Sequence, residues 1–287
     1  MTTGSMTQAF FKLADALLPY VLEAGAVTLR HFGTTADAAI KADGSPVTVA
    51  DHASEAILLA GLREIAADIP VVAEEACAAA GPTPPGENFF LVDPLDGTRE
   101  FAAGRKEYTI NIGLIENGVP TFGLIYAPAL SKLYVTVASD HAVSAIVETG
   151  SGKRLTALDL NRLAARTPPS TGGITLVASG SHGSADLESW LAHVPVAART
   201  NIGSSLKFCL VAEGAADIYP RFGPTKEWDT AAGHAILAAA GGSVTTTEGR
   251  ALIYGKTDAY FLNPSFIAWG CAADADIARL CRLPRCR

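Results

Sequence analysis

The sequence predicts a mixed α/β (α+β) fold in two lobes, and three observations carry that expectation. Between residues 108 and 147, apolar or alternating runs are separated by turn signals such as Glu116-Asn117-Gly118, the pattern of an antiparallel meander. From 151 to 173 the chain turns polar, carries Pro168-Pro169 and ends in Gly172-Gly173, which marks a lobe boundary. Beyond it, strand-like and helix-like stretches alternate. The expected division is residues 1–160, holding the antiparallel sheet, and residues 161–287, a mixed α/β lobe, the two working as one continuous unit.

In chain order, Phe11, Leu18, Leu22 and Leu29 recur at helical spacing over residues 8–32, across Pro19, so one long helix is expected, straight or kinked. Residues 40–51 are turn-rich and lead into a second periodic stretch at 53–65, with Asp51 near its start. Val71-Val72-Ala73 reads as a short strand ending in Glu74-Glu75, and a loop follows at 81–86. Phe89-Phe90-Leu91-Val92 is short, aromatic and bounded by that loop, so it reads as a buried strand that delivers Asp93 to a cleft. The meander strands are expected at 108–115, 121–126, 132–137 and 143–147. After the connector come a strand at 174–178, helices at 184–192 and 205–213, a strand at 215–219 and a helix at 230–240.

Composition limits the function. A chain of 287 residues, 49% of them hydrophobic, can bury a sizeable core. Twenty-nine acidic against 22 basic residues give a net charge of -7, with no footprint for nucleic acid or an anionic membrane; a small anionic ligand would need a local positive centre. Five cysteines without zinc-type spacing are expected to be reduced thiols in the cytoplasm. No transmembrane run or secretion signal is expected. Oligomeric state and peripheral contact with an inner membrane face stay open.

Chemistry concentrates at Asp93-Pro94-Leu95-Asp96-Gly97-Thr98. A sharp turn can aim both carboxylates and the Leu95 carbonyl at one cation, and oxygen-only ligands suit magnesium. Gly97 allows close backbone approach, and Thr98 offers a hydroxyl and an amide to phosphate or to water. The alternative is an Asp-Pro turn followed by a helix cap. Glu74-Glu75 alone reads as a solvated pair, although strand alternation would send one of them to a metal site. Asp229, and likewise Thr48 and Asp51, read first as helix caps that can also serve as ligands.

Gly203-Ser204-Ser205-Leu206-Lys207 opens a helix with small residues whose amides suit phosphate, with Lys207 as the missing positive centre or as a plain surface lysine. Ser179-Gly180-Ser181-His182 follows a strand and could meet a nucleobase or second phosphate, or be an ordinary loop. Phosphate-loop, dinucleotide and Gly-x-Ser-x-Gly motifs are absent. The Asp-x-x-Asp-Gly-Thr spacing also differs from that of aspartyl-nucleophile phosphatases. The acids therefore read as metal ligands.

Taken together, Glu74-Glu75, Asp93-Pro94-Leu95-Asp96-Gly97-Thr98 and Trp228-Asp229 resemble the signature set of the magnesium-dependent, lithium-sensitive phosphatases of the inositol monophosphatase superfamily. Further stretches, Asp43 to Asp51, Ser179 to His182, Gly203 to Gly214, Tyr219 to Thr225 and Leu262-Asn263-Pro264, are similar to its bisphosphate nucleotidase branch. The resemblance implies a layered α/β/α/β/α sandwich of the inositol monophosphatase and fructose-1,6-bisphosphatase type, with the site between the lobes. It implies one magnesium on Glu74, Asp93 and the Leu95 carbonyl, a second on Asp93, Asp96 and Asp229, and room for a third, weaker ion.

In that scheme Thr98, with Glu74 or with Asp51 and Thr48 behind it, orients the attacking water, and no covalent intermediate is needed. Gly97 and Thr98 amides cradle the phosphoryl group. Ser179, His182, Gly203, Lys207 and Asp229 face the rest of the substrate, a nucleotide bisphosphate such as 3'-phosphoadenosine 5'-phosphate. Arg99, where relatives often carry lysine, and Lys226-Glu227 depart from the pattern without removing a ligand. An inositol or sugar-bisphosphate phosphatase, and a non-catalytic nucleotide or magnesium sensor, are the alternatives.

Overall fold

The computed structural model describes residues 3–34, 39–40, 46–169, 171–179, 185–192 and 194–272. His182, and the motif residues Asp43, Ser45, Gly180 and Ser181, lie outside the described residues, as do Cys281 and Cys286.

The first half begins with helix α1 (Thr3–His31), which runs through Pro19 without ending, a two-residue pair β1 (Ala39–Ile40) and β2 (Pro46–Val47), and helix α2 (Val49–Ile65). Then come β3 (Val71–Ala73), α3 (Glu74–Ala80), β4 (Asn88–Asp96) and α4 (Thr98–Ala102). The meander is β5 (Thr109–Glu116), β6 (Val119–Ala127), β7 (Lys132–Ala138) and β8 (His141–Ile146), each antiparallel to the last, and β9 (Asn161–Arg162) closes that edge. These strands form one seven-stranded sheet in the order β3-β4-β5-β6-β7-β8-β9, in which β3 is parallel to β4.

The second half holds β10 (Ile174–Ser179), α5 (Ala185–Leu191), β11 (Val196–Ile202), α6 (Leu206–Ala212), β12 (Ile218–Arg221), α7 (Ala231–Ala239), β13 (Ser243–Thr246) and β14 (Phe266–Trp269). Its five-stranded sheet runs β11-β10-β12-β14-β13, parallel from β11 through β12 and antiparallel beyond.

The apolar run of β4 is continuous because the strand is buried on both faces. Phe90 and Val92 point to α1 and α2, packing with Leu18, Leu22, Leu58 and Leu62. Phe89 and Leu91 point the other way, into a cluster shared with Phe208 of α6, Ile236 and Leu237 of α7, and Val177, Tyr219 and Phe266 of the second sheet. On that sheet's far side Leu187 of α5 packs with Leu176, Ile218 and Ile267. The layers are thus helix, sheet, helix, sheet, helix, as the motif resemblance implies. Two glycines let α7 lie directly on the first sheet: a Cβ at Gly123 would come within 2.1 Å of the Ala232 carbonyl oxygen, and one at Gly113 within 2.7 Å of the Ala231 Cβ.

Two expectations are corrected. Glu74 and Glu75 do not finish a strand but open α3, so helical geometry rather than pleat alternation separates their side chains. The strand expected at 215–219 lies at Ile218–Arg221, because residues 213–216 instead close the turn after α6 through amides bonded to the Cys209, Leu210 and Val211 carbonyls. Strand β11 escaped notice because it is an exposed edge without apolar alternation. Among the described residues no helix is long and apolar enough to cross a membrane.

Candidate active site

A cleft of about 320 Å³ opens where the end of β4 and the starts of α3 and α4 meet the starts of α6 and the segment before α7. Its acidic wall is Glu74, Asp93, Asp96 and Asp229, beside Gly97 and Thr98. Each acid is set by a local device. Glu74 is the first residue of α3, whose first-turn amides at Glu75 and Ala76 donate to the Glu55 carboxylate at 2.8 and 2.9 Å. Glu55 on α2 therefore caps α3 and fixes the entry of Glu74.

At Asp93 the ladder with β5 shifts register, and Asp93 Oδ1 accepts from the Leu95 amide at 2.9 Å, turning the chain through Pro94. Ser54 Oγ pins that turn by donating to the Pro94 carbonyl at 2.8 Å. Gly97 then adopts φ +93°, a left-handed conformation in which a side chain would be strained, and α4 starts at Thr98. The Thr98 hydroxyl donates to the Leu95 carbonyl at 3.3 Å.

Asp229 is not the cap of α7. Thr230 occupies that position, and Asp229 Oδ2 turns back to accept from the Lys226 amide at 2.8 Å. That turn brings it to the other acids: oxygen atoms of Glu74, Asp93 and Asp229 all lie within 4.8 Å of one another. Burial pushes the Asp93 and Asp229 carboxyls well above the ordinary range, and their mutual repulsion and that of Glu74 and Asp96 add to it. Asp96 is pushed up to about 6, burial outweighing the nearby Lys207 ammonium and the Ser205 amide. Closely packed, partly buried carboxylates with oxygen donors only are a fit for a hard divalent cation, which would relieve the repulsion.

Lys207 is not a surface lysine. It is 5% exposed, and its ammonium donates to the Ser204 and Ile202 carbonyls and lies 5.4 Å from the Tyr219 ring centre. Burial lowers its pKa to about 8. Beside it, Ser205 Oγ donates to Asn111 Oδ1 at 2.8 Å and meets Thr109 Oγ1 at 2.8 Å, tying the start of α6 to β5. Gly203 packs where a Cβ would approach the Glu107 carbonyl to 2.8 Å.

Ser179 lines the cleft at the end of β10. Thr48 and Asp51 do not line it; they form a capping box on α2, with the Thr48 amide and hydroxyl both donating to Asp51 Oδ2, at 2.8 and 2.7 Å. The start of α2 still abuts the acidic turn, because Ala50 packs with Leu95, Phe101 and Tyr108.

A model of the inositol monophosphatase family matches residues 12–278. The chain belongs to the inositol monophosphatase family. It is 45% identical over 237 residues to the 3'(2'),5'-bisphosphate nucleotidase CysQ of Shigella flexneri, covering 80% of this chain and 87% of that protein. The CysQ of Buchnera aphidicola is 39% identical over 90% of this chain and 93% of its own. Among solved structures, CysQ from Bacteroides thetaiotaomicron superposes with a TM-score of 0.75 at 36% identity, covering 91% of this chain and 97% of that one. The Thermotoga maritima inositol monophosphatase, at 22% identity and a TM-score of 0.67, shares the fold.

For this inositol monophosphatase family member, sequence reading missed Glu55, Ser205 with Asn111, and the basic wall of the cleft. Arg221 lines that wall with its guanidinium donating to the Gly223 and Pro224 carbonyls, alongside Lys226. The signal for Arg221 was present in Tyr219-Pro220-Arg221-Phe222-Gly223-Pro224-Thr225, a turn-rich stretch with one cation ahead of Trp228-Asp229. Nothing local in the sequence pointed to Glu55, whose contact is made 20 residues away.

Proposed function

We propose that the chain is a magnesium-dependent, lithium-sensitive 3'(2'),5'-bisphosphate nucleotidase acting in the cytoplasm, hydrolysing the 3'-phosphate of 3'-phosphoadenosine 5'-phosphate to AMP and phosphate. The observation that carries the reading is the convergence of Glu74, Asp93 and Asp229 oxygens within 4.8 Å in a cleft that Arg99, Arg221 and Lys226 also line. Similarity to CysQ proteins over most of the chain favours a nucleotide over inositol or sugar phosphates. Among the described residues, the buried Cys77 and Cys209 are free thiols, in keeping with a reducing compartment.

Magnesium would be held by Glu74, Asp93, the Leu95 carbonyl, Asp96 and Asp229, in the expected scheme one ion on Glu74, Asp93 and the Leu95 carbonyl and a second on Asp93, Asp96 and Asp229. Magnesium held there would neutralise phosphate charge and lower the pKa of the attacking water toward neutrality. The side chains do the rest. The Thr98 hydroxyl orients the water and Glu74, fixed through Glu55, takes up its proton, with Thr48 and Asp51 holding the start of α2 behind the acidic turn. Water adds to phosphorus as its proton passes to Glu74, the bond to the 3'-oxygen breaks opposite it, and that oxygen takes its proton from solvent water. Gly97 and Thr98 amides hold the phosphoryl group. Ser179 and Gly203 border the nucleoside portion, and Arg221 supplies the positive charge for the other phosphate. Lys207 acts from beneath, holding Asp96 ionised.

The test is phosphate release from 3'-phosphoadenosine 5'-phosphate, inositol 1-phosphate and fructose 1,6-bisphosphate side by side, with magnesium, with chelator and with lithium. The expected result is preference for the nucleotide, abolished by chelator and inhibited by lithium. Faster release from inositol 1-phosphate would keep the metal chemistry and overturn the substrate. No release from any of the three would favour a sensor without catalysis.

A further inference from the structure

Two of the three clustered acids belong to segments far apart in the chain: Glu74 opens α3, and Asp229 precedes α7. A loop from the C-terminal part of the chain touches both segments. The Tyr260 hydroxyl donates to the Cys77 carbonyl at 2.9 Å, one turn along α3 from Glu74. The Tyr260 carbonyl accepts from Lys226 Nζ at 2.7 Å, and the same ammonium lies 4.5 Å from the Tyr260 ring centre. Lys226 in turn donates its amide to Asp229.

The loop is held firmly against the Asp229 segment. Glu227 is fully buried, accepts from the Gly255 and Lys256 amides at 2.7 and 2.9 Å, and pairs with the Lys256 ammonium at 2.7 Å. The Glu227 amide donates to the Phe261 carbonyl at 2.8 Å, and Asn263 Nδ2 donates to the Lys226 carbonyl at 2.9 Å. Tyr260 and Phe261 both adopt left-handed backbone, at φ +53° and +54°. Two consecutive non-glycine residues there are strained, and such strain persists only where surrounding contacts enforce it.

We propose that Tyr260 is a positioning residue for the metal site, a latch that sets the separation of Glu74 from Asp229 by gripping α3 with its hydroxyl and the Asp229 segment with its carbonyl. This rests on the metal reading of the acid cluster. Tyr260 does not line the cleft, so its hydroxyl acts through the two acids and not on substrate. Without the hydroxyl, the Tyr260 hydrogen bond to α3 is lost, and part of the binding free energy goes to bringing Glu74 into place.

The experiment is magnesium titration calorimetry on the full chain, with phosphate release followed against magnesium concentration, for wild type, Tyr260→Phe and Tyr20→Phe. Tyr20 donates to Glu64 across α1 and α2, neither residue lines the cleft, and the variant controls for loss of any tyrosine hydroxyl. The latch predicts that Tyr260→Phe weakens magnesium binding about 3- to 10-fold by calorimetry, the worth of one hydrogen bond. The half-saturating magnesium concentration for turnover should rise in parallel. Turnover at saturating magnesium and the thermal midpoint in chelator should match wild type, and Tyr20→Phe should bind magnesium normally. Unchanged magnesium binding in Tyr260→Phe, or a lower midpoint in chelator that accounts for the loss, overturns the latch. No magnesium binding by wild type would instead overturn the metal reading beneath it.

Discussion

Lys207 shows how burial changes the meaning of a residue. In the sequence it is a lysine near a helix start, open to reading as a phosphate contact or as a surface cation. In the fold it is buried against the Ser204 and Ile202 carbonyls and next to Asp96, and burial brings its pKa down to about 8. Lys207→Met should therefore lower stability by roughly 3 kcal/mol in urea unfolding, since it strands a buried carboxylate and two carbonyls. A loss within about 0.5 kcal/mol, the range of a surface position, would return Lys207 to the role of a solvent-facing substrate contact. Asp93, Asp96 and Asp229 were legible because their motif types and order are distinctive. Glu55, Asn111 and Tyr260 were not, because each acts through a contact 20 or more residues away that no local pattern encodes.

Elements with strong periodicity or clear punctuation were legible: α1, α2, β4 through β8, α6 and α7 all fall close to their expected ranges. Those that failed did so for physical reasons. Strand β11 is exposed along most of its length, and β13 and β14 are four residues each, too short to show alternation. The Glu74-Glu75 pair follows three apolar residues, so the strand pattern hid a helix start capped from α2. The seating of α7 on Gly113 and Gly123 is an element-scale feature that places Asp229 over the acidic turn. Gly123→Ala should cost about 1–3 kcal/mol in urea unfolding, because the Ala232 carbonyl would have to retreat, and should raise the magnesium needed for half-maximal phosphate release. A stable variant with unchanged magnesium dependence would show that α7 does not depend on that contact.

At the scale of the molecule, helices α6 and α7 are shared between two sheets, and the acids collect at the seam. The layered order was legible only through the motif resemblance. Residue patterns alone suggested two lobes but not how they stack, because the apolar faces that join them come from both halves. The seam holds several carboxylates at a cost. A carboxyl whose pKa is raised by folding retains a proton that the unfolded chain gives up. Above the unfolded carboxylate range, near pH 4, its ionisation therefore works against the fold until a cation offsets it. Function and stability are opposed at Asp93, where asparagine keeps an acceptor for the Leu95 amide but removes the charge.

The most direct measurement is thermal unfolding of wild type and Asp93→Asn in chelator and in magnesium, with phosphate release from 3'-phosphoadenosine 5'-phosphate on the same samples. In chelator the variant should melt at or above the wild-type temperature. Magnesium should raise the midpoint of wild type but not of Asp93→Asn, and turnover by the variant should fall by about a thousandfold or more. Near-normal turnover, or a magnesium shift equal to that of wild type, would contradict the assignment of Asp93 to the centre of a catalytic metal site.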